Sequence, residues 1–289
     1  MYNIAMLSEE GGFIGLSFAP GIGPMRAKAL LKEYGAASAS YLAKDNKLKT
    51  ILGLKIYDSF TKFRKSFNPD LEIEKLRQQQ IFFLTQIDKR YPKSLLQIPD
   101  PPIVLYAKGN IKLLNRPQIA VIGTRQPTAY GISSAQQLVA GLIKQGYIIT
   151  SGLALGIDTV VHKVALKSHM PTVAVVGCGV DICYPRSHQA VYNEIVKYGV
   201  VVSEIPPGVN ITRAGIITRN RIVSGLSKAI IVVEGARKSG TMITASFALE
   251  QGKDVYAVPG PITSRQSDGP NYLISTGATP ITSFEQDLL

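Results

Sequence analysis

Two regimes of hydrophobic patterning divide the chain. Over residues 1–80 the apolar positions read as short helices: in Met25–Tyr34, Ala27, Leu30 and Leu31 share one face, Pro24 stands at the start and Gly35 at the stop. Residues 81–116 read as a connector, punctuated by Tyr91-Pro92 and Pro99-Asp100-Pro101-Pro102, with one short strand over Ile103–Ala107. From Gln118 onward, continuous apolar runs at 119–122, 147–150, 172–176, 200–202, 229–233 and 255–258 alternate with helical patterns such as Leu138, Val139, Leu142 and Ile143. Strands apolar on both faces, alternating with helices, predict a mostly parallel sheet covered on both sides: an α/β fold. The expected units are a helical domain at 1–80, the connector at 81–116 and an α/β domain at 117–289. Sheets of this kind take ligands at the carboxyl ends of their strands.

Composition adds a charge bias. Lys and Arg number 32 against 20 Asp and Glu, a formal net charge of +12. The excess is shared by both halves of the chain, so both can face one polyanion. Charge alone does not separate a nucleic-acid partner from a merely basic surface. Two cysteines, Cys178 and Cys183, and three histidines, His162, His169 and His188, make no metal-ligand spacing, and no metal is expected. The sequence shows neither a secretory leader pattern nor an apolar run of membrane-spanning length, so a cytoplasmic protein without a membrane partner is expected.

Candidate chemistry gathers at strand ends. Gly123-Thr124-Arg125 follows the run at 119–122; glycine admits close approach, the hydroxyl can donate, and Arg can grip phosphate through two parallel N–H bonds. Ser151-Gly152 opens the turn after 147–150, and Gly177-Cys178-Gly179 opens the segment ending in Tyr184-Pro185. Arg213, Arg219, Asn220 and Arg221 form a basic cluster. Beyond the next strand, Lys238-Ser239-Gly240-Thr241 opens a helix expected to be amphipathic, and a helix start after a glycine turn offers backbone N–H groups to an anion. Near the N-terminus, Pro20-Gly21-Ile22-Gly23 is a turn of the type that helix-hairpin-helix modules aim at a DNA phosphate; it serves structural or protein contacts equally well.

Three enzyme readings fail on these residues. A dinucleotide fingerprint starting at Gly177 has Ile182 where its third glycine belongs. A nucleotide-binding P-loop needs Gly-Lys-Ser/Thr, whereas Lys238-Ser239-Gly240-Thr241 runs in another order. Ser151, Asp158 and His162 suggest a hydrolase triad, but Asp158 is expected to cap its helix and no Gly-x-Ser-x-Gly elbow presents the serine. Anion binding without a nucleophile remains.

Taken together, the motifs resemble the DprA/Smf family of DNA-processing proteins over nearly the whole chain. They are Pro20–Leu31, Arg90–Asn110, Val121–Arg125, Ser151–Asp158 with His162, Gly177–Pro185, Ser203–Gly208, Arg219–Ser227, Lys238–Gly260 and Ser267–Ala278. The resemblance implies a Rossmann-like, doubly wound core with a small N-terminal helical domain of helix-hairpin-helix or SAM-like type. It implies single-stranded DNA binding, usually by a homodimer, loading of RecA recombinase in natural transformation, and neither cofactor nor catalytic turnover. By position, Arg125 looks like the phosphate-gripping arginine, Arg213 like a DNA-contacting residue, and Arg219-Asn220-Arg221 like the family's Arg-Asn-Arg. The family commonly has Phe-Pro where Ile216-Ile217 stand, so Ile216 is expected to pack on a base without aromatic stacking. The sequence is expected to lack the winged-helix-like domain that some members carry.

The expected DNA- or phosphate-binding set is therefore Gly123, Thr124, Arg125, Ser151, Gly152, Arg213, Ile216, Arg219, Asn220, Arg221, Lys238, Ser239, Gly240 and Thr241. An alternative from another class is a nucleotide phosphoribohydrolase using the same phosphate site. That type of enzyme has a Pro-Gly-Gly-x-Gly-Thr-x-x-Glu loop, and here Thr244 occupies the carboxylate position. A minor third reading is a nucleotide sensor.

Overall fold

A computed structural model describes residues 7–284 of the chain; the outermost ends of the two expected domains, 1–6 and 285–289, lie outside the described residues. Six helices come first: α1 (Glu9–Phe18), α2 (Pro24–Tyr34), α3 (Ala37–Leu42), α4 (Asn46–Leu52), α5 (Leu54–Ser66) and α6 (Pro69–Gln78). The expected start and stop of α2 hold: Pro24 is its first residue, and Gly35 takes φ 76° with its N–H on the Leu31 carbonyl. Residues 81–116 do more than connect. They supply β1 (Phe82–Thr85), the single turn α7 (Lys93–Leu96) and β2 (Val104–Gly109), and both strands join the main sheet antiparallel.

The alternating part follows as β3 (Gln118–Ile122), α8 (Ala129–Lys144), β4 (Ile148–Ser151), α9 (Ile157–Lys167), β5 (Thr172–Val175), α10 (Gln189–Tyr198) and β6 (Val200–Ser203). Two short helices, α11 (Arg213–Thr218) and α12 (Asn220–Leu226), lead to β7 (Ala229–Val232), α13 (Gly240–Glu250), β8 (Asp254–Ala257), α14 (Asp268–Ser275) and β9 (Thr279–Pro280). The nine strands form one sheet in the order β1-β2-β6-β5-β4-β3-β7-β8-β9, parallel from β6 to β9. This is the expected Rossmann-like, doubly wound arrangement. The chain winds outward from β3 to β6 and then returns to the other side of β3 through β7, which leaves a crevice at the carboxyl ends of β3 and β7.

The alternation of side chains explains the layers. Ala120, Ile122, Val173, Val175, Ile230 and Val232 pack on the side of α12 and α13, whereas Ile119, Val121, Ile149 and Ile231 pack on the side of α8 and α9. A third cluster joins Phe13, Leu16 and Leu30 of the helical region to Tyr106, Ala174 and Val201 of the sheet. The helix α13 is not amphipathic in the expected way: it buries Thr241, Thr244, Ala245 and Ala248 and leaves Leu249 exposed. Small side chains suit a helix packed closely against α12.

Within the helical region, α1 and α3 approach so closely that a Cβ on Gly12 would lie 2.2 Å from the Ser38 backbone nitrogen. Backbone cannot give way as a flexible side chain can. Gly12→Ala is expected to destabilise the fold by about 2 kcal/mol or more, read as a lower urea midpoint at unchanged slope. An unchanged midpoint would contradict this packing.

Candidate anion-binding crevice

The crevice at the switch between β3 and β7 has a volume of about 380 Å³ and is lined by residues from four segments. The first is the loop after β3. Thr124 donates its N–H to the Glu234 carbonyl at 2.7 Å and accepts the Ile157 N–H on its own carbonyl at 3.1 Å. The Gly123–Arg125 loop is thus pinned to the end of β7 and the start of α9, while the Arg125 side chain is exposed at the mouth.

The second segment, the joint between α11 and α12, supplies a buried cation. Arg219 is 8% exposed. Its Nη1 donates to the Val175 carbonyl at 2.6 Å, its Nη2 lies 4.0 Å from Asp158, and its Nε has no hydrogen-bond partner among the described residues. Burial pulls Arg219 below the ordinary guanidinium value; Asp158 opposes that, and the Arg125 charge adds to it. Guanidinium nonetheless stays charged at neutral pH. The third segment, the turn after β4, makes room for it: a Cβ on Gly152 would stand 1.6 Å from Arg219 Nη1.

The fourth segment is the start of α13, where Ser239, Gly240, Thr241 and Thr244 line the crevice. The Ser239 hydroxyl makes no capping bond and is buried without a partner among the described residues. First-turn N–H groups of a helix have no intrahelical acceptor, and the positive end of the dipole adds to their pull on an anion. The crevice therefore offers a buried guanidinium, an exposed one, an unpaired hydroxyl and helix-terminal amides to one negatively charged group.

Of the expected set, Gly123, Thr124, Arg125, Gly152, Ile216, Arg219, Asn220, Ser239, Gly240 and Thr241 come together here. Four do not. Arg221 is 3% exposed and gives its Nε to Asp100 at 2.8 Å and its Nη2 to Glu204 at 2.5 Å. Residues on one helical turn point in different directions, so Arg219 and Asn220 meet the crevice while Arg221 faces a separate cleft. Ser151 is buried, its hydroxyl donating to the Val121 carbonyl at 2.7 Å, which ties β4 to β3. Arg213 and Lys238 are exposed and lie outside the lining. Of the Pro20–Gly23 turn, Ile22 and Gly23 line the Arg221 cleft together with Asp100 and Glu204.

Sequence reasoning missed Thr244, Ala154 and Val223 as lining residues and misjudged Asp158. Asp158 does not cap α9; Gly156 holds that place, and the Asp158 carboxylate accepts the N–H groups of Gly152 at 3.2 Å and Ala154 at 3.3 Å. The triad reading fails too, because His162 Nδ1 bonds Thr172 Oγ1 at 2.8 Å. Among the described residues no His, Cys, Asp and Glu group is arranged to hold a metal, both cysteines are free, and no helix is long and apolar enough to cross a membrane.

His162 is fully buried, and burial, then the Arg219 charge, then His188 push its pKa down to about 3. A depressed histidine contributes stability that is complete above the unfolded value near 6.5 and is lost as pH falls toward the folded value. Between pH 7 and pH 5 this single group is expected to cost about 2 kcal/mol of unfolding free energy. Imidazole NMR shifts check it: the His162 ring should stay neutral throughout that range, and a midpoint near 6.5 would contradict the assignment.

The sequence and the fold both have counterparts among known proteins. The model of the family described as DNA recombination-mediator protein A matches residues 82–288. The DNA processing protein DprA of Bacillus subtilis is 41% identical over 210 residues, covering 72% of this chain and 71% of that protein. The X-ray structure of DprA from Streptococcus pneumoniae superposes with a TM-score of 0.82 at 32% identity, covering 96% of this chain and 95% of that one. A structure concerned with the single-stranded DNA binding mode of Helicobacter pylori DprA gives a TM-score of 0.65 at 34% identity, covering 71% of this chain and 93% of that one. By sequence and by fold, the chain belongs to the DprA/Smf family of DNA-processing proteins.

Proposed function

We propose that the chain binds single-stranded DNA through its phosphates at the switch crevice, as a homodimer in the cytoplasm, and helps load RecA recombinase without catalytic turnover. The observation that carries this reading is the unsatisfied donor set of the crevice: Arg219 Nε and the Ser239 hydroxyl are buried without partners among the described residues, beside the first turn of α13. A phosphate oxygen satisfies such donors, and a chain carrying +12 draws a polyanion toward them. A flexible single strand can dip one phosphate into a recess while neighbouring phosphates meet exposed Arg125, Arg213 and Lys238 at the surface.

The absence of turnover is supported by what the candidate catalytic groups do. Ser151 donates to a carbonyl, Asp158 accepts two backbone N–H groups, and His162 is bonded to Thr172. The mediator role is supported by membership in a family described as DNA recombination-mediator protein A. The RecA partner and the homodimer are what the family resemblance implies.

Replacing Arg125 by Ala is expected to weaken single strands of any base composition alike, by about 1–2 kcal/mol. The slope of log affinity against log salt should flatten by about 0.7, one phosphate contact fewer. Fluorescence anisotropy with oligo-dT, oligo-dC and oligo-dA checks both. Unchanged affinity and slope would remove Arg125 from the binding surface, and release of free base from nucleoside monophosphates would favour the hydrolase alternative.

A further inference from the structure

A hollow of about 650 Å³ lies within the helical region, away from the sheet, a size that suits a small ligand. Tyr57, Thr61, Arg64 and Lys65 recur at the i, i+4, i+7, i+8 spacing of one helix face, so α5 presents a single stripe of polar side chains to it. Leu42 at the end of α3, with Phe67 and Pro69 at the join of α5 and α6, adds apolar walls, and no carboxylate lines the hollow.

Three of its donor groups go unanswered. Arg64 gives Nη1 to the carbonyls of Tyr41 at 2.5 Å and Ala43 at 2.7 Å. Its Nε and Nη2 have no hydrogen-bond partner, and its charge no carboxylate, among the described residues. Burial lowers this half-buried guanidinium, and only the Tyr41 and Tyr57 phenols oppose the shift. The hydroxyls of Tyr41 and Thr61, both lining the hollow, are buried without a partner among the described residues. Tyr41 is 4% exposed, and burial pushes its phenol up to about 12, so it keeps its proton and can donate.

The free edge of Arg64 carries two parallel N–H groups, the pattern that matches a carboxylate. We propose that the hollow binds a small amphipathic carboxylic acid, its carboxylate on Nε and Nη2 of Arg64 and its apolar body against Leu42, Tyr57 and Phe67. Thr61 stands one turn before Arg64, so its hydroxyl donates to the same carboxylate. Lys44 and Lys65, exposed at the rim, draw the anion in. The site does not depend on DNA binding at the crevice.

The test titrates the full chain with octanoate and, as its uncharged counterpart of equal length, octanamide. Amide NMR shifts measure affinity and locate the probe. Octanoate should shift residues of α3 and α5 and bind about tenfold tighter than octanamide. Arg64→Met keeps the stem without the charge and should bring octanoate down to the affinity of octanamide. Thr61→Val removes a hydroxyl that bonds nothing, so it should fold normally and weaken octanoate about threefold, which tests the site even if Arg64→Met does not fold. Equal affinity for the two probes overturns the proposal, as does octanoate binding that Thr61→Val leaves unchanged. Shifts confined to the crevice, or displacement of octanoate by oligo-dT, would place the acid on the DNA surface and overturn it too. So would binding of neither probe, whatever else fills the hollow.

Discussion

A guanidinium buried under the ends of the sheet strands sets the geometry of this site. Burying an unpaired charge costs several kcal/mol, so Arg219 must be answered wherever it sits. Val175 at the end of β5 answers one nitrogen directly, and Asp158 at the start of α9 answers the charge from 4.0 Å. Asp158 is in turn held by the N–H groups of Gly152 and Ala154, and Gly152 must be glycine for the guanidinium to fit. The turn after β4, the start of α9 and the joint between α11 and α12 are thereby locked around one cation. Its Nε still has no partner among the described residues.

Topology places this arrangement where it can be used. Because the winding reverses between β3 and β7, the loops after those two strands diverge and leave the crevice open. The Gly123–Arg125 loop forms one wall and the start of α13 another, with Arg219 between them. The first turn of α12 divides its labour: Asn220 faces the crevice, whereas Arg221 binds Asp100 and Glu204 and ties the segment before β2 to the end of β6. Positive charge that looks uniform along the sequence is thus split between the open crevice and the ion pairs that hold the fold.

Much of this was legible from residue order. The six apolar runs from 119 to 258 correspond to β3 through β8, because strands buried on both faces need continuous aliphatic stretches. The two edge strands β1 and β9 were not legible. β9 spans only Thr279–Pro280, too short for a pattern, and β1, although apolar over Phe82–Leu84, is four residues long and runs into a turn-rich segment rather than a helix. In the crevice, glycine turns and the opening of α13 could be read directly, since both are set by backbone conformation. Side-chain direction could not. Nothing in Arg219-Asn220-Arg221 says which arginine is neutralised by two carboxylates, and nothing in Ser151 says that its hydroxyl serves the neighbouring strand. Those outcomes depend on Asp100, Glu204 and Val121, which are distant in sequence.

The central claim is that unpaired nucleotides are held by charge at the rim of this sheet. Its most direct measurement is a mobility-shift titration of one sequence as a single strand and as a duplex, at two salt concentrations. The account predicts that the single strand binds more tightly than the duplex and that its affinity falls steeply as salt rises. Equal affinity for both forms, or a single-strand affinity indifferent to salt, would contradict it.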